Sequence, residues 1–259
     1  MPWVIQMGVG WAAIRAAWSA FVEAASGPRF DTSAEHRELL GAHGPHYLPA
    51  DETEGGPGRI RAFRDPYRFR DPYRFRDPAD GREYLLVAAS VPWGYRFMGA
   101  IALARATAGG WELGSPLVAD GVNHEIERPH VVVHRSHYYL FICTSRRSFH
   151  PAGAAPTGLY GFVAPALGGP YEPLNGSGLV IQNPPEQPDQ AYAWLVLPTL
   201  DVHSFVDYLA ADGDDPRSAP ADEARSRFGG TFAPVLRLAI DGASTAPRSP
   251  VAHGAGDLA

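Results

Sequence analysis

From about residue 80 onward the chain is a succession of short β-rich runs, and few folds accommodate that pattern. The runs are Tyr84–Ser90, Met98–Ala106, His130–Val133, Tyr138–Thr144, Gly158–Val163, Ala191–Leu197, Ser204–Tyr208 and Val235–Ile240. Turn residues part them, as at Pro78-Ala79-Asp80-Gly81, Ala108-Gly109-Gly110 and Gly168-Gly169-Pro170. Many short strands at such spacing predict an all-β fold: a sandwich, a barrel or a propeller. Two runs about a polar turn, as over 130–144, suit a propeller blade. The 28 glycines and 25 prolines exclude long helical arrays and coiled coils, because both residues weaken helix interiors. Hydrophobic residues at 45% and aromatics at 11% are too abundant for a disordered chain. At about 100–200 residues per domain, the length fits one large domain or two small ones.

The flanks read differently. Residues 1–35 form an atypical N-terminal segment, in which 11–25 can make one short helix. The segment faintly resembles a signal peptide, but it lacks a basic start and Arg15 interrupts its apolar stretch. No apolar run reaches the roughly 18 residues of a membrane span. Asp212–Arg227 is polar and acidic and reads as a solvated loop, and the tail 242–259 reads as disordered. Net charge is −6, and all 22 basic residues are arginines without a basic block, so no nucleic-acid partner is expected. Cys143 is the only cysteine, which excludes an intrachain disulfide and a cysteine-based zinc finger. The ten histidines show no metal-ligand spacing, and no phosphate- or dinucleotide-binding motif is present. No metal and no cofactor are expected.

Three features carry chemistry. Arg64-Asp65-Pro66-Tyr67-Arg68-Phe69 recurs identically as residues 70–75, and Arg76-Asp77-Pro78 begins a third copy. Three six-residue copies do not make a solenoid; they read as a local tandem duplication. In each, Pro fixes φ, and an Arg beside Asp can hold the carboxylate ionised and oriented. The unit is either a turn with a local ion pair or a carboxylate able to stabilise positive charge on a sugar ring. The second feature is Asn123-His124-Glu125-Ile126-Glu127-Arg128-Pro129-His130. If extended, it puts Glu125 and Glu127 on one face. Two close carboxylates raise one another's pKa, as a general acid requires, whereas two solvated glutamates at a strand end would do nothing. The third is Arg146-Arg147 after the run Tyr138–Thr144, a solvated pair or a grip on sugar hydroxyls.

Taken in order, these segments resemble a known family. Phe-Arg-Asp-Pro-Tyr-x-Phe is followed by Glu125-Ile126-Glu127-Arg128-Pro129-His130-Val131-Val132 and Tyr138-Tyr139-Leu140-Phe141. Then come Gly158-Leu159-Tyr160-Gly161-Phe162-Val163, Asn175-Gly176-Ser177-Gly178-Leu179-Val180 and Gln190-Ala191-Tyr192. Together they are similar to glycoside hydrolase family 68: levansucrases, inulosucrases and β-fructofuranosidases. The resemblance spans 36–241 and favours the catalytic reading of each feature. It implies a five-bladed β-propeller, of which this chain would hold about three blades. It implies fructosyl transfer from sucrose to water, a sugar or a growing fructan, by a retaining mechanism, in an extracellular setting. Carried over by motif, Glu127 would be the acid/base and Glu125 would bind sugar and tune it. Arg128, Arg146 and Tyr192 would contact substrate, Arg146 at a position that influences acceptor binding. The Asp of the Arg-Asp-Pro unit would stabilise the transition state, with its Arg binding sugar. A hairpin joining Tyr73-Arg74-Phe75 to Tyr84–Ser90 favours Asp71 with Arg70; anchoring on Ala62-Phe63 favours Asp65 with Arg64.

The chain also departs from the family. The family nucleophile lies in a Trp-Asp motif well upstream, and the six tryptophans here are followed by Val, Ala, Ser, Gly, Glu and Leu. The second-blade Trp-Ser-Gly motif is absent as well. The chain is thus expected to begin near the third blade, with no nucleophile and no turnover of its own; a non-catalytic carbohydrate-binding relic is the alternative. His124 stands where calcium-binding members carry Asp, which argues against a structural calcium.

Overall fold

The computed structural model describes residues 3–7, 14–18, 21–24, 27–30, 35–40, 45–48, 70–92, 97–119, 122–209 and 220–248. Two compact units divide the chain, Met1–Glu127 and Arg128–Ala259. The described residues are almost wholly strands and turns, so the all-β expectation holds.

The first unit opens with β1 (Trp3–Met7), β2 (Ile14–Trp18), β3 (Phe21–Ala24), β4 (Gly27–Phe30) and β5 (Glu35–Leu40). An antiparallel sheet runs β1-β2-β5, and β3-β4 is a hairpin. A short helix over 11–25 is therefore incorrect: β2 pairs Trp18 with Trp3 and Ile14 with Met7. The aromatic and β-branched residues here suit a pleated sheet, and pairing on both sides of β2 overrides the helix propensity of its alanines. Next comes a four-stranded antiparallel sheet in chain order: β6 (Arg70–Arg76), β7 (Glu83–Ser90), β8 (Gly99–Thr107) and β9 (Gly110–Leu113). Strand β7 is central and buried on both faces, from Leu85 to Ser90. Leu85, Val87 and Ala89 pack with Ala102, Ala104 and Tyr47. Each fully buried Leu or Val contributes roughly 1.5–3 kcal/mol.

The second unit holds two more sheets of this kind. The first consists of β10 (Glu127–His134), whose first residue still belongs to the preceding unit, β11 (His137–Thr144), β12 (Gly158–Ala164), β13 (Glu172–Pro173) and β14 (Leu179–Gln182). Arg135 and Ser136 join β10 to β11 with φ of 48° and 62°, the left-handed pair that suits a two-residue hairpin. Gly161 lies opposite Phe141, where a Cβ would sit 2.7 Å from Leu174 Cδ1, so only glycine fits. The second consists of β15 (Trp194–Val196), β16 (Asp201–Tyr208), β17 (Phe228–Phe232), β18 (Leu236–Asp241) and β19 (Ser244–Arg248). A shared core of Phe141, Cys143, Leu159, Leu174, Trp194, Val202 and Leu238 serves both.

Two flank readings need correction. Within 212–227, Ala221–Ser226 is a short helix, α1, with acidic residues in its first turn, where they complement the helix dipole. Within the tail, Ser244–Arg248 is a strand because Asp241↔Ser244 closes a tight hairpin about Gly242 (φ 55°). The rest of that tail lies outside the described residues.

Candidate active site

Asn123–Glu127 is buried along its whole length, with Glu125 8% and Glu127 5% exposed. The picture of two solvated glutamates therefore fails. The strand begins only at Glu127, so Glu125 lies in the buried connection before it and not on one extended run with it. Strand β8 fixes the segment. The Gly99 N–H donates to the Asn123 carbonyl at 3.0 Å, and the Asn123 side chain accepts the His124 N–H at 2.8 Å. A Cβ on Gly99 would lie 2.4 Å from the Asn123 carbonyl oxygen, far inside contact distance. The Phe97 ring meets His124 edge-on at 5.4 Å.

In the second unit the motif continues through a bend. Arg128 is exposed and has φ 53°, a left-handed conformation costly for a residue with a Cβ. His130 holds that bend. Its Nε2 accepts the Val196 N–H at 2.9 Å, so Nδ1 carries the proton and donates to the Arg128 carbonyl at 3.0 Å. Burial pushes its pKa down to about 4, so the imidazole is neutral near neutrality. It stacks on Phe141 with centroids 5.5 Å apart. The charge of Arg128 acts on Asp207, whose carboxyl is nevertheless raised by burial.

Arg146 and Arg147 lie in a closed turn after β11. The Arg146 N–H donates to Thr157 Oγ1, the Arg146 carbonyl accepts the Gly153 N–H, and the Arg147 N–H donates to Ser145 Oγ. Their guanidiniums converge on Asp189, Arg147 at 2.6 Å and Arg146 at 3.5 Å. Tyr192 is half-buried, two residues ahead of β15.

The repeat copies separate by position. Asp65 and Arg64 lie outside the described residues. Asp77 closes the β6–β7 turn, where its Oδ1 accepts the Ala79 N–H at 2.9 Å. The expected hairpin forms, with Tyr73↔Leu86, Phe75↔Tyr84 and Arg76↔Glu83. Asp71 is the second residue of β6, and the register shifts between Arg70 and Tyr73. The shift is an extra residue on β6 at Asp71-Pro72, of the kind that re-aims side chains beside active sites. Pro72 has no N–H to give a partner strand, and β6 is a sheet edge, where that is tolerated.

A common placement emerges. Asp71 opens the edge strand β6, Glu127 opens the edge strand β10, and Tyr192 precedes the edge strand β15. Each sheet presents its candidate at the N-terminal end of an edge strand. Motif reading missed Gly99, His130 as a clamp, Asn183 and Asp189. The signals were a glycine inside an apolar strand and the polar turn Asn183-Pro184-Pro185. Among the described residues no cluster of three or more His, Cys, Asp or Glu can hold a metal ion, and no helix is long and apolar enough to cross a membrane.

Comparison with known proteins places these features in a wider set. A family described as levansucrase/invertase matches residues 93–258. A levansucrase of Pseudomonas syringae pv. actinidiae is 44% identical over 133 residues, covering 51% of this chain and 28% of that protein. A levansucrase of Erwinia amylovora is 38% identical over 164 residues, covering 59% and 37%. The matched segment is thus well under half the length of these relatives. Among solved structures, an inulosucrase of Halalkalicoccus jeotgali bound to kestose superposes with a TM-score of 0.80 at 34% identity, covering 97% of this chain and 68% of that one. A levansucrase of Gluconacetobacter diazotrophicus, at 24% identity and a TM-score of 0.67, covers 91% and 54% and shares the fold.

Proposed function

The chain belongs to the levansucrase/invertase family, and on that premise we propose that it carries the acid/base and sugar-binding part of a retaining fructosyltransferase site for sucrose and fructan acceptors. One observation carries this reading: the two carboxylates of Glu125 and Glu127 are held buried by β8 where a polar surface strand end would leave them in water. Such sites use two flanking carboxyl groups, one to protonate the leaving oxygen and one to form the covalent intermediate. Glu127 is the acid that protonates the departing glucose and, as base, later activates the acceptor hydroxyl. Glu125 grips the sugar and tunes Glu127. Asp71, re-aimed by the bulge, stabilises positive charge at the ring, and Arg70 orients it. Arg128, Arg146 and Tyr192 contact substrate, Arg146 on the acceptor side. The setting is extracellular, where sucrose and fructan are met.

The nucleophile has no counterpart in the 259 residues, since no Trp is followed by Asp. Without it no covalent intermediate forms. The chain alone therefore binds sugar and does not turn sucrose over. Glucose release from sucrose by the purified chain, read against Glu127→Gln, tests this. No release above that control is expected, and release that Glu127→Gln abolishes would overturn the claim of inactivity.

A further inference from the structure

We propose that Asp189 is a positioning residue that presets the Arg146–Arg147 pair for the acceptor sugar. The inference rests on the reading of Arg146 as a sugar contact. Asp189 Oδ2 accepts from Arg147 Nη2 at 2.6 Å and faces Arg146 Nη2 at 3.5 Å. Its side chain is 11% exposed, against 22% and 24% for the two arginines, so the pairing sits largely out of water and is little screened. Adjacent guanidiniums repel, and one carboxylate between them lets both stay in a fixed place. The group keeps one net positive charge and donors left over for hydroxyl oxygens.

The placement of Asp189 is itself built. Asn183 closes the base of the loop 184–190 with three hydrogen bonds. Its Nδ2 donates to the Pro188 carbonyl at 2.9 Å and the Ala191 carbonyl at 2.8 Å, and its Oδ1 accepts the Ala191 N–H at 3.1 Å. Inside the loop, Gln187 N–H donates to the Pro184 carbonyl and Gln190 N–H to the Gln187 carbonyl. Asp189 therefore hangs on a rigid strap, and Tyr192 follows directly beyond the clamp. One polar loop sets both the arginine pair and Tyr192. Preset side chains bind with less loss of freedom than mobile ones, so Asp189 raises acceptor affinity without touching sugar.

The test is kestose binding by the full chain, measured by calorimetry for the unaltered protein, Asp189→Asn, Arg146→Ala and the double variant. Asp189→Asn is expected to weaken binding about tenfold, the scale of one lost charge-assisted contact. Arg146→Ala is expected to weaken it at least as much, and the double variant no more than Arg146→Ala. Asp189→Glu restores part of the affinity. In NMR spectra, the Arg147 guanidinium protons are resolved in the unaltered chain and averaged in Asp189→Asn, which a general loss of stability would not produce in a chain that still melts cooperatively. Unchanged affinity in Asp189→Asn beside a loss in Arg146→Ala overturns the role of Asp189 and leaves the reading of Arg146 standing. Unchanged affinity in Arg146→Ala, or no kestose binding by the unaltered chain, overturns that reading and this inference with it. Additive losses in the double variant mean that Asp189 acts elsewhere and overturn the inference alone.

Discussion

Replacing His130 with Gln is expected to remove a loss of stability that the unaltered chain suffers on going from about pH 7 to about pH 5. The folded imidazole titrates at about 4 and the unfolded one at 6.5. Below 6.5 the unfolded chain takes up a proton that the folded chain refuses, so unfolding gains ground as pH falls. The stability is fully present above 6.5 and is lost progressively toward 4. The gap corresponds to about 3 kcal/mol when fully expressed, of which about 2 kcal/mol is realised between pH 7 and pH 5. At about 2–4 °C per kcal/mol for a chain of this size, the melting temperature should fall about 4–8 °C more in the unaltered protein than in His130→Gln. Gln can still accept the Val196 N–H, and other titrating groups are common to both proteins, so the difference isolates position 130. Thermal melts followed by circular dichroism at the two pH values supply the numbers. Equal falls in both proteins would refute a buried neutral imidazole, as would an NMR spectrum showing the proton on Nε2 instead of Nδ1.

In a version completed with the Trp-Asp-bearing N-terminal part of a matching levansucrase, Glu127→Gln should lower sucrose turnover by about 10²–10⁴, with a smaller loss for Glu125→Gln; equal losses would undo the division of roles. Gly99→Ala should destabilise the chain by about 1–3 kcal/mol, because its Cβ meets the Asn123 carbonyl; an unchanged urea midpoint would contradict the tight approach of β8. Phe228 and Phe232 are 63% and 87% exposed, so the chain should bind an apolar-surface dye and aggregate, and Phe228→Thr/Phe232→Thr should lower the dye signal; a dye-silent unaltered chain would sink this.

The strands after residue 80 could be read directly because apolar runs bounded by glycine and proline have few alternatives to sheet. Each expected run contains a strand of the fold, with ends displaced by a few residues. The misreadings fall where pairing, not local composition, decides. Ile14–Trp18 carries three alanines' worth of helix preference only until it is flanked by Trp3–Met7 and Glu35–Leu40. Ser244–Arg248 looks like polar tail until Leu236–Asp241 offers it a ladder. No window of sequence contains its own partner strand, so propensity alone could not choose.

The site shows the same division more sharply. Glu125, Glu127, Arg146 and Tyr192 stand in motifs whose order marks them, and motifs are written in contiguous residues. What holds those residues is written in pairs far apart in the chain: Gly99 against Asn123, His130 against Val196, Asp189 against Arg147. Each holding contact also depends on a quantity that sequence does not carry. Gly99 matters because a carbonyl comes within 2.4 Å of a missing Cβ. His130 matters because burial keeps it neutral, which leaves Nε2 free of a proton to accept the Val196 N–H; a solvent-exposed His at the same place would titrate and break that bond. Reactive groups can therefore be identified before the fold is known, whereas the groups that aim them become identifiable only once distance and burial are. The third Arg-Asp-Pro copy shows why the distinction is physical. Residues of identical local sequence take different tasks, Asp77 capping a turn while Asp71 opens an edge strand at a bulge. Their side-chain chemistry is the same, and only the strand register separates them.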